Sequence, residues 1–276
     1  MLACPVCHSP LILADTSYHC DNRHSYDIAK DGHINLHIVQ HKKSNQAGDT
    51  PESVQARRRF LASGGYQALR EQIDEIVARL VADGVGGVDG RCIVDIGCGE
   101  GYYTESLARH ARQVIGLDIA KSAVQTASKT YKHLNNVRWV VGTGAKLPIL
   151  DNSVDICTSF FSPLPKSEMY RVLKQGGYLL MATPAPMHLF AMRQALFDTV
   201  LPHEPSKFID ELADGFSLVN EWQVSSDMQL NNQQLNDLID MTPYTYKAKL
   251  ANKTALKTKE DFGLTAAFCL YLFRRV

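Results

Sequence analysis

The sequence has no apolar run that approaches the roughly 18 to 20 residues needed to cross a bilayer. It also has no excess of charge, because Lys+Arg and Asp+Glu both number 29. This balance excludes a broadly polycationic nucleic-acid coat, although local basic patches are still possible. The start, MLACPVCHSPLIL, lacks the basic segment and the apolar stretch of a secretory signal peptide. We therefore expect a cytoplasmic protein without a membrane span.

Cysteine is present in an odd number, seven, and nothing marks the chain for secretion. In a reducing compartment, clustered cysteines indicate a metal site rather than disulfides. The length of 276 residues suggests one large domain, or one full domain with an accessory piece. We expect Cys92, Cys98, Cys157 and Cys269, which lie in or beside predicted strands, to be small buried residues.

The chain divides into two unequal parts. Residues 1–45 are dense in Cys, His and turn formers, and the stretch 44–53 has the composition of a polar linker. We expect a small module over 1–45 and a larger domain over 46–276.

The larger part shows the alternation of an α/β fold. Residues 54–80 have helical apolar spacing that breaks at Gly64 and Gly65. Between 91 and 183, short apolar runs alternate with helical segments, which is typical of a parallel sheet covered on both faces. The predicted strands are CIVDI, VIGLD, VRWVV, VDICTSF and YLLMAT, and the helices between them lie at 104–110, 121–131 and 167–173. Further on, the pattern predicts helices at 189–201 and 233–241 and strands at 218–224 and 266–273.

Four potential metal ligands lie within the first 24 residues. Their pattern is C-x2-C-x12-C-x3-H, formed by Cys4, Cys7, Cys20 and His24. Two close pairs of thiolate or imidazole ligands are what a tetrahedral zinc ion requires. The alternative is a set of buried thiols beside an incidental histidine. Because four protein ligands leave no open position, we expect a structural Zn2+ rather than a catalytic one.

A glycine-rich loop follows the first strand of the larger part. Its glycines Gly97, Gly99 and Gly101 follow Asp95 and let a ligand approach the backbone, and Asp118 ends the next strand where a carboxylate can meet ribose hydroxyls. The spacing is G-x-G-x-G rather than the G-x-G-x-x-G of nicotinamide enzymes, and Glu100 would repel a pyrophosphate. S-adenosyl-L-methionine, a cationic sulfonium, tolerates acidic neighbours. The loop, Asp118 and a closing strand together predict a class I methyltransferase with a Rossmann-like sheet.

Several segments resemble one family, the bacterial 23S ribosomal RNA guanine-N1 methyltransferases. They are CPVCHSPL, DNRHSYDIAKDGHINL, QHKK, DIGCGEGYYT and TPAPMHL. The resemblance implies methylation of a guanine in a hairpin of 23S rRNA by a zinc-containing class I enzyme, and it implies a homodimer. It also implies that Cys4, Cys7, Cys20 and His24 bind zinc. The cofactor pocket would include Tyr66, Tyr103, Thr104 and His188. The chain departs from the family pattern at 161–164, where Phe-Ser-Pro-Leu replaces a Tyr-Ala-Pro-Cys-like stretch.

The predicted reaction needs a place for the base and an acceptor for its proton. A target base must leave its stack and enter a pocket, and Phe160, Phe161 and Pro163 follow the fourth strand where such a platform would lie. The alternative is that these are core residues at a strand end. No residue of the sequence is identified as the general base, and Asp155 is expected to brace the sheet.

Basic residues are clustered despite the neutral total, as RNA binding requires. The clusters are Lys42-Lys43, Arg57-Arg58-Arg59, and Lys247, Lys249, Lys253, Lys257 and Lys259. Each cluster could equally be a solvated face. Three other functions are therefore kept open. They are a small-molecule methyltransferase with a structural zinc knuckle, a non-catalytic RNA-binding factor, and, least favoured, a nicotinamide oxidoreductase.

Overall fold

The computed structural model of the protein describes residues 1–38, 48–87 and 90–276. The strands are β1 Ile12–Ala14, β2 Ser17–His19, β3 Ser25–Asp27, β4 Ile34–Asn35, β5 Cys92–Ile96, β6 Gln113–Asp118, β7 Val137–Val141, β8 Val154–Phe160, β9 Leu173–Pro184, β10 Phe216–Asn231 and β11 Asp261–Arg275. The helices are α1 Pro51–Ala62, α2 Gln67–Ala82, α3 Tyr102–Ala108, α4 Lys121–Thr130, α5 Lys166–Val172, α6 Phe190–Leu196, α7 Lys207–Leu212, α8 Asn232–Met241 and α9 Leu250–Lys257. A short 3-10 helix covers Pro243–Tyr246.

The central element is an eight-stranded sheet in the order β10-β11-β9-β8-β5-β6-β7-β4. Strands β4 to β9 run parallel within it, whereas β11 runs antiparallel to both β9 and β10. Every residue of β5 and β8 is buried, as strands covered on both faces require. This arrangement confirms the predicted class I methyltransferase fold.

The chain reverses direction across the sheet between β5 and its two neighbours. From β5 the chain moves outward to β6 and β7, and it then returns to β8 on the other side of β5. In open α/β sheets, ligands bind beyond the carboxyl ends of the strands at this kind of switch point. The fold therefore directs attention to the loops after β5, β6, β8 and β9.

The helical break predicted at Gly64 and Gly65 separates α1 from α2. Gly64 has φ +90°, and a Cβ on Gly65 would lie 2.3 Å from the Phe60 ring. The turn therefore needs glycine at Gly64 because of the positive φ, and at Gly65 because the ring of Phe60 fills the space beside the backbone. This packing sets Tyr66 edge-on against Phe60, with ring centroids 5.2 Å apart.

Some predicted element bounds were too short or too long. The strands predicted at 218–224 and 266–273 are parts of the longer β10 and β11. The ends of β10 were missed because it is an edge strand whose mostly polar outer face carries no continuous apolar signal. The helix predicted at 189–201 ends at Leu196, since Phe197 adopts extended backbone before Asp198 and the β-branched Thr199 and Val200, all poor helix formers.

The first helix begins inside the stretch predicted as a linker. Thr50 caps α1 by accepting a hydrogen bond from the Ser53 N–H at 3.2 Å, with Pro51 in the first turn. The linker prediction is therefore wrong for residues 51–53. Its residues 44–47 lie outside the described part of the chain, as do Lys42, Lys43 and His41.

The N-terminal residues form their own small sheet and also extend the large one. Strands β1, β2 and β3 pair antiparallel, and β4 then pairs parallel with β7. The buried side chains of Leu2, Ile34 and Leu36 belong to the same core as residues of β5, β6 and β8. Across the described ranges, no helix combines the length and apolarity of a membrane span.

Candidate functional site

The four predicted metal ligands lie together at one end of the small sheet. All four ligand atoms are within 4.8 Å of one another. Nδ1 of His24 lies 3.5 Å from Sγ of Cys4 and 3.3 Å from Sγ of Cys20, and the Sγ atoms of Cys7 and Cys20 are 3.6 Å apart. Ligands at about 2.0 to 2.3 Å from one tetrahedral zinc ion stand roughly 3.3 to 3.8 Å apart, so the donor set fits the ion. Four protein ligands close its coordination, and the zinc is structural.

The two turns that hold these ligands are tight. His8 directly follows Cys7, and Arg23 lies between Cys20 and His24. Their φ angles of 64° and 63° are in the left-handed region, as tight turns require. Tyr26 reaches Cys4 with its hydroxyl 3.2 Å from the sulfur. Hydrogen bonds lower the pKa of the Cys7 thiol to about 5, the largest contribution coming from Asn22 and the next from Ser9. Cys7 is therefore ready to bind a cation as thiolate.

The zinc-binding part is fastened to the rest of the chain by backbone and side-chain bonds. Ala3 N–H donates to the Pro148 carbonyl at 2.9 Å, and Leu150 N–H donates to the Met1 carbonyl at 2.8 Å. Arg171 donates to Asp151 at 2.6 Å and lies 3.0 Å from Nε2 of His8. The metal unit therefore shares a surface and a core with the large sheet.

A cavity of about 810 Å³ opens beyond the carboxyl ends of β5, β6, β8 and β9. This volume is within the usual range for a small-molecule site. The residues predicted from sequence that line it are Tyr66, Gly97, Gly99, Tyr103, Asp118, Phe160, Phe161, Pro163 and His188. The structure thus brings together most of the predicted cofactor residues and all of the predicted platform residues.

The glycine loop is shaped by two contacts. A Cβ on Gly97 would lie 2.5 Å from Cβ of Ser162, whereas Gly99 has open space in front of it, with only the Arg57 guanidinium within 4 Å. Gly99 N–H donates to Asp118 at 2.9 Å, and Ala120 N–H donates to the other oxygen of the same carboxylate at 2.8 Å. Burial raises the pKa of Asp118 against these hydrogen bonds.

Three of the predicted cofactor residues do not line the cavity. Asp95 lies under the loop and accepts hydrogen bonds from Thr104 at 2.6 Å and Thr158 at 2.8 Å. Burial raises the pKa of Asp95 to about 6. Gly101 begins α3, where a Cβ would lie 2.7 Å from the Trp139 ring. These residues position the loop from beneath. Asp155 behaves as predicted and braces the sheet by accepting from Cys92 N–H and Lys174.

A partly buried arginine in the cavity was not predicted as a site residue. Arg57 extends from α1, pairs with Asp49 at 2.5 Å and donates to the Met241 carbonyl at 3.3 Å. Burial alone would lower the pKa of Arg57, but the carboxylates of Asp49 and Glu100 raise it, so the guanidinium is charged. A signal existed in the sequence, because Arg57 shares one helical face with the apolar Val54 and Leu61.

The cavity suits the predicted cofactor in charge and in unsatisfied hydrogen bonding. Its carboxylates, Asp49, Glu100 and Asp118, surround Arg57, the one Lys or Arg side chain that lines it among the described residues. A sulfonium with an ammonium and a carboxylate on its amino-acid tail matches such a set. The buried hydroxyl of Tyr103 also has no hydrogen-bond partner in the described chain, so it is free to bind a ligand atom.

Aromatic side chains form another wall of the cavity. Phe161 has φ 60° and exposes 43% of its surface, whereas Phe160 is buried against Tyr103 at a centroid distance of 5.2 Å. The ring centroid of Tyr66 lies 6.5 Å from that of Phe161 and 6.1 Å from that of His188. Of the two phenylalanines, Phe161 is placed to receive a planar ligand, and Phe160 is placed to support it.

The basic clusters predicted for RNA binding are largely engaged within the chain. Arg57 lies in the cavity, and Arg59 donates to the buried Asp237 at 2.6 Å. Lys249 pairs with Asp198 at 2.5 Å, and Lys257 pairs with Asp240 at 2.6 Å. The lysine cluster looks acid-free in sequence because its partners come from distant elements. The four cysteines outside the metal cluster are buried, as predicted.

Comparison with known proteins agrees with this geometry. Two family models match, "RlmA, N-terminal" over residues 2–45 and "Methyltransferase domain" over residues 94–181. The 23S rRNA (guanine(748)-N(1))-methyltransferase of Streptomyces fradiae is 30% identical, over 89% of this chain and 85% of that protein. A Micromonospora griseorubida protein, named provisionally as a 23S rRNA (guanine-N(1)-)-methyltransferase, is 30% identical over 100% of this chain and 97% of its own.

Proposed function

The chain belongs to the family of 23S rRNA (guanine-N1)-methyltransferases, and from this premise we propose that it transfers a methyl group from S-adenosyl-L-methionine to N1 of a guanine in a 23S rRNA hairpin. The observation that carries the proposal is the single cavity, which joins a loop suited to the cofactor to a wall suited to a base. Phe161, exposed and held at positive φ, marks the meeting point of the two parts.

Residues on the loop side would hold the cofactor. Asp118 keeps acceptor capacity for ribose hydroxyls beyond its bonds to Gly99 and Ala120. Arg57 would pair with the cofactor carboxylate, and Glu100 or Asp49 with its ammonium group. When bound, the cofactor supplies an electrophilic methyl group. The residues named here bind and orient it, which is the proximity that methyl transfer needs.

Residues on the aromatic wall would receive the base. A guanine flipped from its stack gains contact with aromatic faces worth roughly 1 to 3 kcal/mol. Phe161 and Tyr66 offer such faces, and Pro163 closes the edge of the same wall. None of the described residues 1–38 lines the cavity, and we propose that the task of the zinc-binding part is to hold the RNA.

Three further statements belong to this proposal. The division into a zinc-binding module over 1–45 and a methyltransferase domain over 46–276 is retained as a functional division, although the two share a core. An enzyme acting on rRNA would work in the cytoplasm, where ribosomes are assembled. The family resemblance implies a homodimer, which sedimentation of the purified protein would test.

The decisive experiment uses 23S rRNA that lacks the modification. The purified protein and methyl-labelled cofactor should place one methyl group per rRNA, at a guanine whose Watson–Crick edge then blocks reverse transcription. Labelling of small molecules but not rRNA would instead support a small-molecule methyltransferase. Failure to bind the cofactor in a titration would support the non-catalytic alternative.

A further inference from the structure

The proposed reaction needs a proton acceptor, because neutral guanine carries a proton on N1. The acids in the cavity are engaged elsewhere, since Asp118 holds the glycine loop and both Asp49 and Glu100 face Arg57. Asp95 lies beneath the loop, outside the lining. An acceptor has to be sought on the aromatic wall.

Two residues of the C-terminal half form a hydrogen-bonded pair at this wall. The Tyr244 hydroxyl lies 2.9 Å from Nε2 of His203, and Tyr244 lines the cavity. With its own proton on Nδ1, His203 accepts the hydroxyl proton at Nε2. The backbone of His203 is fixed by its N–H bond to the Pro186 carbonyl at 3.1 Å. The pair is therefore a cavity-lining tyrosine whose hydroxyl is hydrogen-bonded to an imidazole.

This pair is continuous with the surface proposed for the base. Ring centroids follow one another from Phe161 to Tyr66 at 6.5 Å, from Tyr66 to His188 at 6.1 Å, and from His188 to His203 at 6.5 Å. The His203 and Tyr244 rings are 6.4 Å apart. A base against Phe161 would thus lie on the same wall as the Tyr244 hydroxyl.

The charged groups around the pair favour a neutral imidazole. Burial lowers the pKa of His203 from its ordinary value, and Arg193 of α6 and Lys207 of α7 lower it further. His188, which also faces it, is neutral because burial lowers its pKa to about 3. The Arg193 guanidinium lies 5.9 Å from the Tyr244 ring and donates to the His188 and Leu201 carbonyls. A positive charge there stabilises negative charge that develops on the Tyr244 oxygen.

We propose that Tyr244 accepts the N1 proton of the bound guanine while passing its own hydroxyl proton to Nε2 of His203, an inference that rests on the proposed function. The N1–CH3 bond forms as the S–CH3 bond breaks, the sulfonium becomes a neutral thioether, and the imidazolium of His203 later loses its proton to solvent. Tyr244 is then a catalytic residue, and His203 acts through it as the final acceptor.

The test measures single-turnover methyl transfer at saturating rRNA and cofactor, from pH 5.5 to 9.5. For the native protein, the rate should be flat through neutral pH and fall only on the acid side of the ordinary histidine range, as His203 is protonated, because burial lowers the pKa of His203. His203→Gln and Tyr244→Phe should each lower the rate at pH 7 by about a hundredfold to ten-thousandfold, the usual contribution of general base catalysis. The rates of both variants should also rise about tenfold for each unit of increasing pH. Without the proton acceptor, only guanine that has already lost its N1 proton reacts, and the amount of this anion grows with pH.

The controls separate proton transfer from folding. His133→Gln and Tyr178→Phe change the same residue types outside the cavity lining and should keep the native rate and profile. Added imidazole should restore part of the rate of His203→Ala and none of the rate of Tyr244→Phe. A flat profile in both variants, or no rescue of His203→Ala, overturns the inference even if their rates are low. If the native protein methylates no guanine N1, the proposed function itself fails.

Discussion

At the scale of single residues, the cavity contains a small set of charged side chains in a fixed arrangement. Arg57, partly buried, lies among Asp49, Glu100 and Asp118, and the buried carboxylates Glu100 and Asp118 would be costly without a cation nearby. The same guanidinium is the natural partner of a ligand carboxylate. We therefore propose two roles for Arg57, one in the free protein and one in the complex.

Replacing Arg57 should weaken cofactor binding more than replacing its neighbour. We expect Arg57→Met to raise the cofactor Kd about tenfold to a hundredfold, since one charge-assisted hydrogen bond contributes roughly 1.5 to 3 kcal/mol. Calorimetric titration would measure the change. Arg58→Met is the matched control, because Arg58 is exposed on the same helix. Equal affinities for the two variants would contradict the assignment.

Removal of the Asp118 carboxylate should also weaken the cofactor. Asp118→Ala loses acceptors for the ribose hydroxyls and releases the Gly99 and Ala120 N–H groups, so we expect affinity to fall about tenfold to a hundredfold. The control is Asp214→Ala, whose side chain is fully exposed. An unchanged Kd by calorimetry would rule out the proposed role of Asp118.

Single residues differ in how well the sequence predicts them. Asp118 and the glycines are predictable, because strand, loop and helix bring them together over a short stretch. Arg57 is harder, since its role depends on Glu100 and Asp118 from other elements, and in the sequence it belongs to a basic triplet. Gly101 and Thr104 belong to the same motif, but they contact protein groups beneath the loop and do not line the cavity. Residue spacing alone cannot distinguish these two environments.

At the scale of elements, α8 links the core to the aromatic wall. It packs against α1, and its buried Asp237 accepts from Arg59. Its last residue, Met241, lines the cavity just before the short helix that carries Tyr244. The position of the wall thus depends on how α8 begins and ends.

The start of α8 is fixed by a capping box. The Asn231 side chain accepts from Gln234 N–H at 2.9 Å, and the Gln234 side chain accepts from Asn231 N–H at 3.1 Å. Asn231→Ala should lower the free energy of unfolding by about 1 kcal/mol, measured by urea denaturation. Asn231→Ser should retain most of it, because serine is also a good cap. Identical losses in both variants would show that the cap contributes little.

Elements with a clear period were predicted well, and those without one were not. The buried strands β5 and β8 are continuous apolar runs, and α8 begins within one residue of its predicted start. The later part of β10 alternates between partly buried Trp222, Val224 and Met228 and exposed polar residues, so it has no continuous apolar run of the kind that marks β5 and β8. Its length follows from pairing with β11, which is a long-range contact.

At the scale of the whole molecule, the zinc-binding part and the large sheet are one structure. Strand β4 completes the sheet beside β7, and Leu2 and Leu36 lie in the shared core. The sequence predicted a module over 1–45 joined to the larger domain by a polar linker. The structure instead packs the described part of this module against the large sheet, which it therefore also supports. The difference arises because β4 and β7 are roughly a hundred residues apart, and pairing at that distance leaves no local signal.

Loss of the metal should therefore affect both parts. We expect Cys20→Ala/His24→Ala to release zinc, lower the Tm of the whole protein and weaken cofactor binding, because residues 142–145 of the cavity wall follow directly after β7. Tm and Kd would be measured on one preparation. Full cofactor affinity with lost rRNA methylation would show instead that the zinc-binding part serves RNA docking alone. Tyr18→Phe, which leaves the ligands intact, is the control.

The parallel pairing of β4 with β7 has a consequence for synthesis on the ribosome. The zinc-binding turns can close when about thirty residues have emerged, but β4 has no partner until β7 has left the exit tunnel. At about 5 to 20 residues per second, that delay lasts several seconds or more. During it, Ile34 and Leu36, later buried, remain exposed to chaperones. Early zinc binding would limit misfolding and non-native contacts of this nascent segment until β7 is available.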